Sequence, residues 1–211
     1  MIDSYYTIKK QATGELTEKR SRFIATVLPV ETQEQAMQYI DALRSKYWDA
    51  RHNVYAYTLL DGQVKRYSDD GEPQGTAGVP ILNVLEKMQL QNTLVVVTRY
   101  FGGILLGTGG LVRAYSQTAK IGLEQAGIVL RCLCNEIKIT CDYNLLGKIQ
   151  KFIEKNGIKL KEISYADSVS VYVHHKIEET DKLIAQLTEL TDAAVQTEII
   201  GQAYQDFEEM V

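Results

Sequence analysis

The chain has no long apolar segment. No window of its 211 residues approaches the roughly 18 apolar residues that a membrane-spanning helix needs. The amino-terminal sequence MIDSYYTIKKQATGEL has no continuous apolar region of the signal-peptide kind. We therefore expect no membrane partner and a cytoplasmic location. Hydrophobic residues still make up 45% of the chain, which is enough to bury one large core or two small ones.

Cysteine and histidine are scarce. The three cysteines, Cys132, Cys134 and Cys141, cannot all pair with one another. Thiols two residues apart on a strand lie on one face, where disulfide geometry is poor. A zinc site needs about four ligands, and the chain adds only three histidines. We expect reduced, buried structural thiols, no metal at these residues and no cofactor.

Known catalytic motifs are also missing. The sequence contains no G-x-x-x-x-G-K-[ST] loop, no Rossmann glycine fingerprint, no G-x-S-x-G and no H-E-x-x-H. Asp69, Asp70 and Glu72 form a candidate acidic site that could hold Mg²⁺ or carry out acid–base chemistry. His52 could serve as a base. The alternative is that an Asp-Gly turn and a structural histidine explain these residues. No catalytic set is complete, so the sequence does not predict an enzyme.

Arginine is absent beyond residue 131. Residues 1–134 contain 15 Lys and Arg against 13 Asp and Glu, whereas residues 135–211 contain 8 Lys against 14 acidic residues. Arginine suits bidentate phosphate recognition and stacking on bases, so its restriction to the first part favours an anionic partner there. The nearly balanced charge of that part argues against tight non-specific nucleic-acid binding.

Two glycine loops precede predicted helices. Residues 95–115, VVVTRYFGGILLGTGGLVRAY, predict a buried strand, a loop and an amphipathic helix. Glycines supply backbone with positive φ, and a helix start favours anions, so this loop is a candidate phosphate cradle. Residues 68–82 repeat the pattern, with GTAG at 75–78 matching GTGG at 107–110. The alternative is a pair of tight turns in which each threonine is a helix N-cap.

Arginines and aromatic residues flank these loops. Arg99 ends the predicted strand, and Arg113 lies one turn into the helix that follows, so both can approach a ligand of the loop. Interleaved tyrosines could stack on unpaired bases, although alternating tyrosines are also typical of strand packing. We predict an RNA- or phosphate-binding surface, the glycine-loop face. It comprises Arg22, Arg51, His52, Thr76, Arg99, Tyr100, Gly102, Gly103, Gly107, Thr108, Gly109, Gly110 and Arg113.

The hydrophobic periodicity divides the chain into two predicted domains. Residues 1–134 indicate an α+β domain with a mostly antiparallel sheet and helices on one face. Residues 135–211 follow the order β-α-β-β-α-β, which is the ferredoxin-like split motif, at a length that suits an independent domain. No Pro- or Ser-rich linker separates the two, so we expect a short, rigid junction at residues 133–136.

Four sequence blocks carry a family resemblance. SRF at 21–23, ARH at 50–52 and the segments 68–80 and 99–115 occur in the order found in the IMPACT/YigZ family, which the chain strongly resembles. The resemblance implies a ribosomal protein S5 domain 2-like domain followed by a ferredoxin-like domain similar to an elongation factor G module. Phe101 stands where relatives often have tyrosine, which removes one hydroxyl from the loop.

The resemblance also implies a link to translational regulation. Our first hypothesis is a non-enzymatic, translation-associated regulatory factor that binds RNA or the ribosome through the glycine-loop face. The second is a metal-assisted hydrolase that uses the acidic site and His52 on a phosphate-bearing or peptide substrate. The third is a protein-interaction module, because eukaryotic relatives control a stress-kinase pathway. A bound anion would support the first, a bound metal the second and a large exposed apolar patch the third.

Overall fold

The computed structural model describes residues 2–207. Its contacts divide this range into two compact units, Tyr5–Leu130 and Arg131–Phe207, the second of which includes residues 2–4. The two antiparallel sheets and five α-helices of the described range confirm the predicted α+β fold class. We propose that the two units are the domains expected from the sequence.

The first unit is built on a five-stranded antiparallel sheet. The elements are β1 (Ser4–Ile8), β2 (Ala12–Glu18), β3 (Ser21–Pro29), α1 (Gln33–Lys46), β4 (His52–Thr58), β5 (Lys65–Ser68), α2 (Gly78–Lys87), β6 (Thr93–Tyr100), α3 (Thr108–Ala126) and the start of β7 (Ile128–Cys141). The strand order is β2-β3-β6-β4-β5. This order places β6 at the centre of the sheet, so the glycine loop that follows β6 starts from the sheet's middle.

Strand β6 is buried on both faces. Val95 and Val97 lie in the core that contains α2 and α3, whereas Leu94 and Val96 lie in the core that contains α1. Helix α1 therefore covers the face opposite α2 and α3, which differs from the expectation that all helices lie on one face. A continuous apolar run is typical of a strand that is covered on both sides, and the sequence of β6 has such a run.

The second unit has the predicted β-α-β-β-α-β order. After β7 come α4 (Tyr143–Lys155), β8 (Lys159–Tyr165), β9 (Val169–Lys176), α5 (Thr180–Leu190) and β10 (Gln196–Phe207). Strand β7 pairs with both β9 and β10, and β8 lies outside β9, which is the strand arrangement of a ferredoxin-like sheet. The predicted junction at residues 133–136 lies inside the continuous strand β7, which extends from Ile128 to Cys141.

All three cysteines are buried, free thiols. Burial raises the pKa of the Cys134 thiol to about 11, and it also raises the pKa of Cys132 and of Cys141. Thiolates are the reactive form of cysteine, so these residues are shielded from oxidation and alkylation in the folded chain. No helix within residues 2–207 is long and apolar enough to cross a membrane.

Candidate functional site

A pocket of about 370 Å³ lies on the glycine-loop face, between the start of β4, the loop before α2 and the loop before α3. Its volume falls in the range of small-ligand sites. The lining combines apolar walls with two arginines, a histidine and a glutamate. The lining residues are Arg51, His52, Gly71, Glu72, Pro73, Arg99, Phe101, Leu105, Leu106, Gly107, Thr108 and Leu111.

Glycine fixes the path of the loop between β6 and α3. A Cβ at Gly102 would lie 2.0 Å from the backbone carbon of Arg20, so only glycine fits against the β2–β3 turn. The Gly102 N–H donates to Ser21 Oγ at 3.1 Å. Gly103 and Gly107 have φ values of +81° and +72°, which L side chains rarely adopt. These glycines bring the loop over the pocket.

Helix α3 begins without a side-chain cap. Gly107 is its N-cap, and Thr108 is its first helical residue, so the alternative prediction of Thr108 as a cap is wrong. Leu111 N–H donates to Gly107 O, while the N–H groups of Thr108, Gly109 and Gly110 have no partner within the described range. Free N–H groups at a helix start attract anions. A Cβ added at Gly109 would meet no atom within 4 Å, so the space beside these donors is open.

Helix α2 starts differently, although its loop has a similar sequence. The Asp69 carboxylate accepts hydrogen bonds from the N–H groups of Gly75, Ala77 and Gly78, at 2.8, 3.1 and 2.8 Å. The protein's own carboxylate therefore occupies the anion position of this helix. Thr76 is not the cap that was predicted, because Ala77 is the N-cap and the Thr76 hydroxyl donates to a backbone carbonyl.

Arg99 and Glu72 form a buried ion pair at the base of the pocket. Arg99 Nη1 donates to Glu72 Oε1 at 2.5 Å, and the Tyr115 hydroxyl donates to the same oxygen at 2.8 Å. Burial and the neighbouring Glu72 carboxylate both raise the pKa of Tyr115. The Arg99 guanidinium also lies 5.3 Å from the ring centre of Phe23 and 5.6 Å from that of Phe101. Arg99 therefore lines the pocket as a neutralised partner of Glu72, not as the free cation expected from the sequence.

His52 is held by the backbone of the acidic loop. Its Nδ1 lies 2.7 Å from the carbonyl oxygen of Asp70, and its Nε2 lies 3.9 Å from Glu72 Oε1. A carbonyl oxygen only accepts, so Nδ1 carries the hydrogen. The Asp70 carboxylate in turn accepts from Arg44 at 2.9 Å and from the Asn53 N–H at 2.6 Å.

The acidic site does not form as an open cluster. The carboxylates of Asp69, Asp70 and Glu72 each bind different partners, namely the start of α2, Arg44 with the Asn53 backbone, and Arg99 with Tyr115. Within residues 2–207, no group of three or more His, Cys, Asp and Glu side chains is arranged to hold a metal ion. The acidic residues therefore organise the loops around the pocket.

The remaining predicted residues divide between the pocket and its surroundings. Arg51 is exposed on the rim and lies 5.9 Å from the Phe101 ring. Arg113 is exposed one turn after Gly109 on α3. Arg22 lies outside the pocket and pairs with Glu15 at 2.7 and 2.8 Å. Tyr100, which is also outside, donates its hydroxyl to an aspartate.

The site list from the sequence omitted the apolar wall of the pocket. Leu105, Leu106 and Leu111 line it, together with Phe101. The available signal was the apolar run ILL between the two glycine pairs, because an exposed loop between glycines does not otherwise need large aliphatic side chains. Leu105 is 83% exposed, so this end of the apolar wall faces solvent.

Fold and pocket together define an α+β protein of two units whose first unit presents a glycine-loop pocket. Residues 19–123 match the family model of the Impact N-terminal domain, and residues 139–194 match that of a domain of unknown function, DUF1949. The IMPACT family member YvyE of Bacillus subtilis is 40% identical over 193 residues, covering 91% of this chain and 89% of the relative. The chain belongs to the IMPACT family, so the predicted resemblance is confirmed.

Two further similarities extend over most of the chain. The IMPACT family member YigZ of Escherichia coli is 33% identical over 181 residues, covering 84% of this chain and 89% of the relative. A crystal structure of a hypothetical protein aligns with a TM-score of 0.60 at 30% identity and covers 95% of this chain and 99% of that chain.

Proposed function

We propose that this IMPACT family member is a cytoplasmic, translation-associated factor that binds single-stranded RNA through its glycine-loop face. The observation that carries the proposal is the uncapped start of α3, which opens beside a pocket of nucleobase size. The free, buried thiols suit a reducing compartment. The role in translation rests on the family resemblance, and the binding of RNA rests on the geometry that follows.

The start of α3 is suited to one backbone phosphate. Three consecutive N–H groups, from Thr108 to Gly110, are available there, and the helix dipole adds partial positive charge. The α2 loop supports this assignment, because three of its own N–H groups, those of Gly75, Ala77 and Gly78, hold the carboxylate of Asp69. An anion is therefore the natural ligand of this loop sequence, and α3 leaves the position for an external one.

The pocket is suited to the base that follows or precedes that phosphate. Phe101 is 41% exposed at the pocket wall, and aromatic rings stack on bases of any sequence. The Arg51 guanidinium lies over the same ring and can contact either a base or a phosphate. A phosphate at α3 and a base against Phe101 together make up one nucleotide unit.

Four exposed cations surround the site proposed for this nucleotide. Lys19 and Arg20 lie in the β2–β3 turn against which Gly102 packs, while Arg51 and Arg113 flank the pocket and α3. With three or four phosphates neutralised, the logarithm of the binding constant for single strands should fall with the logarithm of salt concentration at a slope of about −2 to −3. Fluorescence anisotropy of a labelled RNA at several salt concentrations measures this slope.

The direct test replaces Gly109 with alanine. A helical Cβ tilts toward the helix amino terminus, so the methyl group enters the space proposed for the phosphate without touching the protein. We expect RNA affinity to fall by about 1.5–3 kcal/mol, the contribution of a hydrogen bond to a charged group. The folded state should become more stable, by about 0.5–1 kcal/mol, because alanine favours the helix.

Gly147→Ala is the matched control for Gly109→Ala. Gly147 is also an exposed helical glycine, it lies in α4, and a Cβ there would meet no atom within 4 Å. This variant should gain similar stability and keep full RNA affinity. Equal RNA affinity for Gly109→Ala, Gly147→Ala and the unaltered chain would contradict the proposed phosphate site.

A second candidate function is binding of a protein partner, which the exposed apolar residues of the same loop favour. Ile104 and Leu105 are 40% and 83% exposed. If this surface binds a protein, Leu105→Asp should abolish capture of that partner, whereas Gly109→Ala should leave it intact. If RNA is the ligand, Gly109→Ala should have the larger effect on cellular RNA recovered by crosslinking.

A further inference from the structure

We infer that the pocket selects a guanine base from single-stranded RNA. The inference rests on the proposed RNA binding and adds the identity of the bound base. Its basis is the chemistry of two side chains at the inner end of the pocket, His52 and Glu72. Neutral His52 and ionised Glu72 offer a ligand acceptors and no free donor. The unpaired Nε of the neighbouring Arg99 is fully buried and therefore does not face the ligand.

His52 supplies the first acceptor. Its Nδ1–H is used by the carbonyl oxygen of Asp70 at 2.7 Å. In the neutral ring, the other nitrogen, Nε2, then carries only a lone pair. This nitrogen lies 3.9 Å from Glu72 Oε1, so the imidazole acceptor and the carboxylate share one edge of the pocket.

Glu72 supplies the second acceptor. Its Oε1 already accepts from Arg99 and from Tyr115. Its Oε2 has no hydrogen-bond partner within the described range, although the side chain is only 4% exposed. Oε2 is not one of the fully buried atoms that lack a partner within the described range, so a ligand in the pocket can reach it. The partners of Oε1 fix the orientation of Oε2.

Guanine is the one common RNA base with two adjacent donors, N1–H and the 2-amino group, on its Watson–Crick edge. Adenine and cytosine offer one amino group beside an acceptor nitrogen, and uracil offers one N–H between two carbonyl oxygens. Single-stranded RNA exposes these edges to protein side chains. A base that placed its own acceptor against His52 or Glu72 would exclude water from these acceptors without pairing them, which is strongly unfavourable.

The test compares short uridine RNAs that carry one central guanosine, inosine, adenosine, cytidine or uridine. Inosine is guanosine without the 2-amino group. We expect guanosine to bind at least about tenfold more tightly than inosine, as the loss of one hydrogen bond to a charged or buried group predicts, and more tightly still than the other bases. The experiment uses the full chain and measures fluorescence anisotropy.

The His52→Leu variant tests whether the preference for guanosine arises in the pocket. It removes the Nε2 acceptor, so the preference for guanosine over inosine and adenosine should fall about tenfold, whereas Gly147→Ala should keep the full preference. Thermal melting establishes that both variants are folded.

The outcomes separate this inference from the proposed function. Salt-sensitive binding of all five RNAs with equal affinity overturns the guanine inference and leaves RNA binding intact. A guanosine preference that survives His52→Leu overturns the assignment to this pocket. Failure of every RNA to bind contradicts both the inference and the proposed function.

Discussion

Replacing Arg99 with methionine is expected to lower the free energy of unfolding by about 3–5 kcal/mol, because it leaves the buried Glu72 carboxylate without its charged partner. The two side chains are 6% and 4% exposed, so solvent cannot substitute for the lost guanidinium. Chemical denaturation of the full chain, monitored by fluorescence and circular dichroism, measures the change. The loops on both sides of the pocket depend on this pair.

A double variant tests whether the loss of stability comes from the unpaired charge of Glu72 or from the changed shape of the side chain at position 99. Glu72→Gln removes the charge and keeps an oxygen that can accept from the Tyr115 hydroxyl, so Arg99→Met with Glu72→Gln should be less destabilised than Arg99→Met alone. The exposed pair of Arg22 and Glu15 provides the control, and Arg22→Met should change stability very little. Additive losses in the double variant would show that the Arg99 and Glu72 side chains are not energetically coupled.

Phe101→Ala is expected to weaken binding of single-stranded RNA by about 1–3 kcal/mol, the usual contribution of one aromatic ring stacked on a base. This corresponds to about a 5- to 150-fold increase in the dissociation constant. Duplex RNA should be affected much less, because its bases are already stacked. Anisotropy titrations with matched single-stranded and duplex RNAs measure the two effects.

Tyr165→Ala is the control for Phe101→Ala, since Tyr165 is a 60% exposed aromatic residue of β8 in the second unit. It should leave affinity for single strands unchanged. If Tyr165→Ala weakened binding while Phe101→Ala did not, the RNA surface would lie on the second unit and the glycine-loop face would have another role.

The main features of the fold could be predicted because their signals are local. The order β-α-β-β-α-β of the second unit follows from periodicity along the chain, and the family blocks between residues 21 and 115 are contiguous motifs. The position of α1 on the sheet face opposite α2 and α3 was not predicted. The apolar run of β6, buried throughout from Thr93 to Arg99, was the available sign of a strand covered on both sides.

The electrostatic state of the site could not be predicted, since it depends on contacts between distant residues. Arg99 and Glu72 are 27 residues apart and meet only because the loop before α2 folds over the end of β6. The two similar glycine loops also differ for a reason outside their motifs. Asp69 precedes one of them at the distance needed to reach its N–H groups, and the other loop has no such carboxylate.

The most direct test of the central claim is amide NMR during titration of the full chain with single-stranded RNA. We expect saturable shifts of the Thr108, Gly109 and Gly110 amides, with smaller shifts at the pocket residues His52 and Phe101. We also expect Gly109→Ala to suppress these shifts. Saturable shifts confined to residues 131–207, or no shifts at the start of α3 when RNA is bound, would contradict binding at the glycine-loop face.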